Sequence, residues 1–372
     1  MSSTHYYDVW IASPRYHQTA ALTYSHPNRL ARGQTVIVPL QNTVVTGVVA
    51  GAAKRPRFTV KAIMQTVANS ILPGQLLDLA QWLTTYYPAP FGQIMSLFLP
   101  SDVSKKSRLT DTTPQAAAEP ADLPRLTAEQ TAALKTIRAS WPRSVLLHGD
   151  TGTGKTRVYT ELIRVTLQKN QSAIILCPEI GLTAHIAQEI EAAFPGAVLV
   201  THSEVSTAAR RKTWFSILES RGPHIIIGAR SALFSPVQNL GLIVMDEFHE
   251  QSYKQEQAPH YLTQRAAAKL AALHKAQLIL GSATPPVGEY YAFRQKHLPI
   301  VRMQTPAIQA NKTKPVVVDL KNRHRFKNSP WLSDKLLNVI QQALDRGEQS
   351  LLFLNRRGSA RLIMCQNCGW QA

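Results

Sequence analysis

Two hydrophobic rhythms alternate along the chain and divide it before any chemistry is considered. The runs 36–38 and 44–49, separated by the polar pair Gln41-Asn42, are short, β-branched and bounded by turn residues, which predicts a small β-rich module near the amino terminus. Between 74 and 87 the residues Leu76, Leu77, Leu79, Ala80 and Leu83 keep near-helical spacing until Pro88 and Pro90 end it. Residues 101–125 are polar, carry three prolines and hold no sustained hydrophobic period, the pattern of an interdomain linker. From residue 126 onward the two rhythms alternate. Helices are predicted at 128–140, 157–168 and 184–193, and strands at 144–147, 173–177, 198–201, 225–227, 242–245 and 277–280. The continuous apolar strands are of the kind buried on both faces of a parallel sheet, so 126–305 reads as one α/β domain. A strand at 316–318, a helix at 332–344 and a strand at 350–354 open a further α/β unit over 306–372. The module at 1–100 and the linker at 101–125 precede both, and no internal repeat is visible.

Composition narrows the class. With 372 residues, 44% hydrophobic and 17% charged, the chain is long enough for two or three cores and is neither disordered nor fibrous. No apolar run approaches the ~20 residues of a membrane span. Lys and Arg number 41 against 23 Asp and Glu, a formal excess of +18, which favours polyanions and makes nucleic acid the leading partner. An anionic membrane is the weaker alternative, because no basic amphipathic helix is evident. Three cysteines make no disulfide framework, Met1 to Tyr7 lacks the succession of a signal peptide, and a reducing cytoplasm is the expected compartment.

Two motifs carry chemistry. Gly149-Asp150-Thr151-Gly152-Thr153-Gly154-Lys155-Thr156 fits the phosphate-binding pattern G-x-x-x-x-G-K-[ST], and it lies between a predicted strand and a predicted helix as that pattern requires. Its glycines let backbone N–H groups face phosphate oxygens, Lys155 supplies charge to the β/γ-phosphates, and the Thr156 hydroxyl suits Mg²⁺. By itself it leaves kinase, GTPase and motor open. Downstream, the apolar strand at 242–245 runs into Asp246-Glu247-Phe248-His249. A carboxylate at that strand end makes Asp246 a candidate for Mg²⁺, Glu247 the candidate general base and His249 a candidate coupling residue.

Together with Gly281-Ser282-Ala283-Thr284, these motifs resemble motifs I, II and III of superfamily 2 helicases, whose Ser-Ala-Thr box relays nucleotide state, here through Ser282 and Thr284. Leu126-Thr127 with Gln130 is similar to the Q-type motif, whose Gln reads adenine; with it, Arg157 becomes an expected nucleotide neighbour. The resemblance narrows to the PriA-type primosomal replication-restart helicases. It rests on Pro178-Glu179-Ile180-Gly181-Leu182-Thr183, the segment GARSALF from Gly228, DEFHEQSYKQE from Asp246, GSATPP from Gly281, Asn355-Arg356-Arg357-Gly358, and Cys365-x-x-Cys368-Gly369-Trp370. It implies a RecA-like P-loop motor with ATP and Mg²⁺, 3′–5′ unwinding of forked and single-stranded DNA, and primosome and single-strand-binding proteins as partners. It also implies DNA contacts at Arg230, Tyr253 and Lys254. The first 100 residues resemble that family's 3′-end-binding domain, with Lys61 as a phosphate contact.

Three departures stand out. The family's aromatic-Asp-Tyr step reads Leu22-Thr23-Tyr24 here, so the acidic group that would receive a 3′-hydroxyl is missing at 23. The linker is too short for the winged-helix domain the family inserts there. The family also continues past Cys368 into further Cys pairs and an arginine finger. Cys365 and Cys368 are half a tetrahedral Zn²⁺ site at most, and without a finger worth roughly 10³–10⁵ in turnover the chain is expected to bind ATP and DNA while hydrolysing slowly. The alternatives are an ATP-binding, DNA-structure-recognition adaptor and another superfamily 2 translocase.

Overall fold

The computed structural model describes residues 4–18, 20–103, 123–202, 204–220, 222–307, 315–319, 321–329 and 331–353. The chain divides into two compact units, Met1–Gln309 and Ala310–Ala372. The module expected at 1–100 and the domain expected at 126–305 lie together in the first.

The first module is an antiparallel five-stranded sheet followed by two helices. Its strands are β1 (His5–Ile11), β2 (Leu22–His26), β3 (Gln34–Leu40), β4 (Thr43–Ala52) and β5 (Gln65–Ile71), in the order β2-β1-β4-β3-β5. β3 and β4 are the hairpin expected from the β-branched runs; β1 and β2 mix aromatic, polar and apolar residues, β5 mixes polar and apolar ones, and all three carry too little alternation to be seen in the sequence. Helix α1 (Gly74–Tyr86) buries all five apolar residues on which it was predicted, and the short α2 (Phe91–Met95) follows it.

The second module is a seven-stranded, all-parallel sheet with helices, the RecA-like architecture expected from residue 126 onward. In chain order its elements are α3 (Ala128–Ala139), β6 (Val145–Gly149), α4 (Lys155–Gln168), β7 (Ser172–Leu176), α5 (Ile180–Ala193), β8 (Val198–Thr201), α6 (Thr207–Glu219), β9 (Ile225–Gly228) and β10 (Leu240–Met245). A two-stranded hairpin of β11 (Lys254–Gln255) and β12 (Tyr261–Leu262) precedes α7 (Thr263–His274), β13 (Gln277–Ser282), α8 (Val287–Gln295) and β14 (Ile300–Met303). The sheet order is β14-β6-β13-β10-β7-β9-β8, and every residue of the central strands β7, β10 and β13 is buried, as their unbroken apolar runs demand. Helix α6 escaped the sequence reading because Trp214, Phe215, Ile217 and Leu218 crowd its carboxyl-terminal end instead of forming a stripe.

The modules share one apolar core. Phe98 packs edge-on to Phe234 with ring centroids 4.9 Å apart, Phe234 packs in turn on Tyr261 at 5.5 Å, and the Trp214 indole N–H donates to the Phe98 carbonyl at 3.0 Å. The Leu262 amide donates to the Tyr87 hydroxyl at 3.2 Å, where α1 lies against α7.

The second unit contains α9 (Asp334–Asp345), overlapping the helix expected at 332–344, with the Ser333 hydroxyl capping it by accepting from the Leu336 amide. The strands expected at 316–318 and 350–354 are corrected among the described residues, where neither segment is in a ladder; Leu354 lies outside them. Val317 and Phe353 are largely exposed, and a β-branched run with no neighbouring strand to accept its hydrogen bonds has nothing to hold it extended.

Phe98 is 1% exposed at the seam, so Phe98→Ala is expected to cost about 3–5 kcal/mol. Amide hydrogen exchange is expected to rise in β4 and in β9 together; a rise confined to one module would show that the seam does not couple them.

Candidate functional site

The phosphate-binding loop joins β6 to α4. Gly152 and Gly154 take φ of 79° and 78°, the left-handed region that a side chain disfavours, and α4 then starts at Lys155. Thr153 donates from its hydroxyl to the Asp150 carbonyl at 2.8 Å, while Thr151 is exposed at the loop tip. The Asp150 amide donates to Met303 at 3.0 Å and the Ala307 amide to Gly152 at 2.8 Å, which ties the loop to the edge strand β14. Glu129, on α3, secures that same edge: its carboxylate accepts from the amides of Gln304 and Thr305 and from the Thr305 hydroxyl, each at 2.9 Å. Those hydrogen bonds, from Thr305 first, hold the Glu129 carboxyl below its usual range.

Lys155 points into the loop, where its Nζ donates to the Gly149 carbonyl at 3.0 Å and meets Glu247 Oε1 at 3.2 Å. Glu247 reaches it from the end of β10 with a backbone φ of 43°, an uncommon conformation for a non-glycine residue and one that recurs at functional sites. Its neighbour Asp246 is 8% exposed and accepts from the Tyr159 hydroxyl at 2.9 Å. Burial raises the Asp246 carboxyl, against the Tyr159 hydrogen bond, and burial with the Asp246 charge pushes the Tyr159 hydroxyl far up. Neither Tyr159 nor Gly281 was singled out as a partner of the acidic box. A Cβ on Gly281 would lie 1.8 Å from the Tyr159 oxygen, so glycine at 281 is what lets Tyr159 reach Asp246.

His249 links the acidic box to the Ser-Ala-Thr segment. Its Nδ1 lies 2.8 Å from Ser282 Oγ and 3.4 Å from Glu247, its Nε2 lies 3.4 Å from Glu250, and Ser282 Oγ accepts from the Thr284 amide at 3.0 Å. The four residues Glu247, His249, Ser282 and Thr284 thus form one connected polar network.

Several expected contacts meet a different arrangement. Gln130 was to read adenine, but it is buried within a capping box: its Oε1 accepts from the Thr127 amide at 3.0 Å and its Nε2 donates to the Thr153 carbonyl at 3.1 Å. Arg157 was to neighbour the nucleotide, but its guanidinium lies 2.6 Å from Glu161 and donates to the Pro124 carbonyl at 3.2 Å. Burial opposes ionisation of Glu161, yet Arg157 and Arg164 outweigh it and hold that carboxyl low. Tyr253 was to stack on a DNA base. It is fully buried instead, its hydroxyl donating to the carbonyls of Leu176 and Asp246 at 2.7 Å each, and no face of the ring is open to a base. The cations beside it are placed otherwise. Arg230 donates to the carbonyls of Ser252 at 2.6 Å and Lys254 at 2.8 Å and so holds the loop, while the Lys254 side chain is exposed.

In the first module, Lys61 is exposed and donates to the Gln41 carbonyl at 3.0 Å. Thr23 stands opposite Asp8 in the β1–β2 ladder, and its hydroxyl donates to Asp8 Oδ1 at 2.9 Å. A carboxylate is therefore present at this register after all, carried by the neighbouring strand. Cys365 and Cys368 lie outside the described residues, and among the described residues no group of three or more His, Cys, Asp or Glu could hold a metal ion.

The chain matches the family model of DEAD/DEAH box helicases over residues 127–293 and that of a 3′DNA-binding domain over residues 8–100. It is 33% identical over 358 residues to the replication restart protein PriA of Helicobacter pylori, a match that covers 96% of this chain and 54% of the relative. To the PriA of Bacillus subtilis it is 36% identical over 249 residues, covering 66% of this chain and 31% of the relative. The chain spans about half the length of the first of these and less of the second. Among solved structures it is similar to RecG bound to a three-way DNA junction, with a TM-score of 0.43, 20% identity, and coverage of 60% of this chain and 29% of that one.

Two substitutions test the geometry. Gly281→Ala is expected to dislodge Tyr159, destabilising the fold by about 1–3 kcal/mol, and Tyr159→Phe in the same chain is expected to restore part of the stability because it removes the clashing oxygen. Unfolding in denaturant reads both, and equal stability of Gly281→Ala and wild type would refute the close approach. Tyr253→Phe removes the buried hydroxyl whose one hydrogen is shared between two carbonyls and is expected to cost about 1–3 kcal/mol while leaving DNA affinity unchanged. A base-stacking tyrosine would give the reverse sensitivity when replaced by alanine.

Proposed function

The chain is of the PriA type, alike over nearly its whole length to replication restart proteins, and on that premise we propose that it acts as an ATP-dependent DNA helicase of the replication-restart type on forked and single-stranded DNA. The observation that carries this reading is the meeting of Lys155 with Glu247 at 3.2 Å, with the buried Asp246 beside them. The residues fit a nucleotide: Gly152 and Gly154 open the loop backbone, and Lys155 lies in the loop against the Gly149 carbonyl and Glu247. In this reading the loop from Thr151 to Thr156 would hold the phosphates of ATP, and Thr156 and Asp246 would hold Mg²⁺, which would supply charge neutralisation there. Glu247, partly exposed and turned toward Lys155, takes a proton from water as the general base. His249 and Ser282 pass the state of Glu247 to Thr284 and the segment after β13. Translocation in the 3′–5′ direction, and primosome and single-strand-binding proteins as partners, complete the proposal by resemblance.

The first module supplies end recognition in the same proposal. Asp8, hydrogen-bonded to Thr23, supports capture of a 3′-hydroxyl, and the exposed Lys61 suits a nearby phosphate.

ATP turnover with and without forked DNA tests the reading. DNA-stimulated turnover is expected to fall about 10²–10⁴-fold in Glu247→Gln, and Lys155→Ala is expected to lose nucleotide affinity with DNA affinity nearly intact. No turnover above the Glu247→Gln blank, with fork binding retained, would instead favour an ATP-binding recognition adaptor. For the end, Asp8→Asn is expected to erase the preference for a 3′-hydroxyl over a 3′-phosphate on the nascent strand, a loss of about tenfold; equal discrimination by variant and wild type would remove Asp8 from the role.

A further inference from the structure

Where the two modules meet, a cleft of about 300 Å³ opens between residues 96–101 of the first and helix α6 of the second. Its floor is the aromatic seam of Phe98, Trp214 and Phe234, each no more than 8% exposed, which fixes its shape. Its walls are hydroxyls, among them Ser101, Thr201, Thr207, Thr213 and Ser231. Among its described lining residues the one cation is Arg210, and none carries a carboxylate.

Arg210 makes the cleft more than a gap in packing. Its Nε is buried and has no hydrogen-bond partner, and no ion pair to its guanidinium occurs among the described residues. A buried donor left unpaired is costly, and one on a permanently charged group costs more. Three other cations described above are engaged: Lys155 by Glu247, Arg157 by Glu161, Arg230 by two carbonyls. Thr207, Arg210, Thr213, Trp214 and Ile217 place one side of α6 along the cleft. A guanidinium and hydroxyl donors, with no acid among the described lining residues, form a site for an oxyanion.

We infer that this cleft is a phosphate-binding subsite for a nucleic-acid backbone, with Arg210 as its cation. The inference rests on the DNA-binding reading above and adds to it the place where a strand passes between the two modules. The net charge of +18 favours a polyanion over an isolated small anion. The module matched as a 3′DNA-binding domain lies on one side of the cleft and the helicase module on the other, so a strand engaged by both crosses this seam. Hydroxyls and a single Arg contact phosphate and sugar without reading bases, so the subsite positions a strand and does not select its sequence.

Fluorescence anisotropy with a labelled single-stranded oligonucleotide and a labelled fork, over a series of salt concentrations, tests this. Arg210→Ala is expected to weaken both about 3- to 10-fold, irrespective of sequence, and to reduce the slope of log affinity against log salt by about 0.7–0.9. Arg210→Lys is expected to retain most of the slope. Ser101→Glu, an exposed substitution that sets a carboxylate in the cleft with Arg210 intact, is expected to weaken binding as well, and guards against a folding defect in Arg210→Ala. A steep wild-type slope shared unchanged by Arg210→Ala and Ser101→Glu would overturn the subsite and leave the DNA reading standing. A wild-type affinity that does not respond to salt would overturn both.

Discussion

The carboxylate of Asp246 is buried at the end of the central strand of a parallel sheet, and the surrounding structure is arranged around keeping it there. An ionised carboxylate at 8% exposure needs partners. It receives one from the Tyr159 hydroxyl, which reaches it across the glycine at 281. Tyr253 then closes the backbone on the far side by donating to the Asp246 and Leu176 carbonyls, which locks β10 to β7 just beyond their last ladder pair. With that strand end immobile, Glu247 can occupy a left-handed conformation and face Lys155. Burial raises the Asp246 carboxyl, so the charged form is held at a cost to stability, which is usual for groups that serve a ligand.

The same segment also connects the site to the first module. Thr263 donates from its hydroxyl to the Tyr253 carbonyl at 2.6 Å, the Leu262 amide donates to Tyr87, and Tyr261 packs on Phe234, which packs on Phe98. Arg230 holds the two carbonyls of Ser252 and Lys254 from the other side. Tyr253 and Arg230 thus hold in place the loop and hairpin between the acidic box and the seam, while the Lys254 side chain stays exposed. The seam itself is apolar at its base and hydroxylated at its mouth. Its rigidity comes from aromatic contact and its openness from the small side chains above it.

How much was legible follows from how local each signal was. The parallel strands, helices α1 and α4, and the phosphate loop announce themselves through neighbouring residues: an unbroken apolar run, a helical spacing, glycines at fixed offsets from a lysine. The acidic box was readable for the same reason. Strands β1 and β2 were not, because a five-stranded antiparallel sheet with aromatic and polar residues on both faces leaves no clean alternation. Helix α6 hid because its apolar residues meet the seam at one end. The strands expected at 316–318 and 350–354 show the converse, since an apolar run makes a strand only when another strand accepts its hydrogen bonds.

The sequence by itself determined the class of the molecule: a basic chain, a parallel α/β domain, and a lysine and two carboxylates spaced for phosphate chemistry. These follow from periodicity, charge and short-range backbone geometry, which each segment carries alone. Only the tertiary structure decided which side chains face one another. Tyr159 meets Asp246 across 87 residues, Thr23 meets Asp8 across 15, and Trp214 meets Phe98 across 116. It also decided that Tyr253 is a buried strut and that the Arg210 Nε is left unpaired among the described residues. Those outcomes depend on close packing and strand register, and neither is set until distant segments have met.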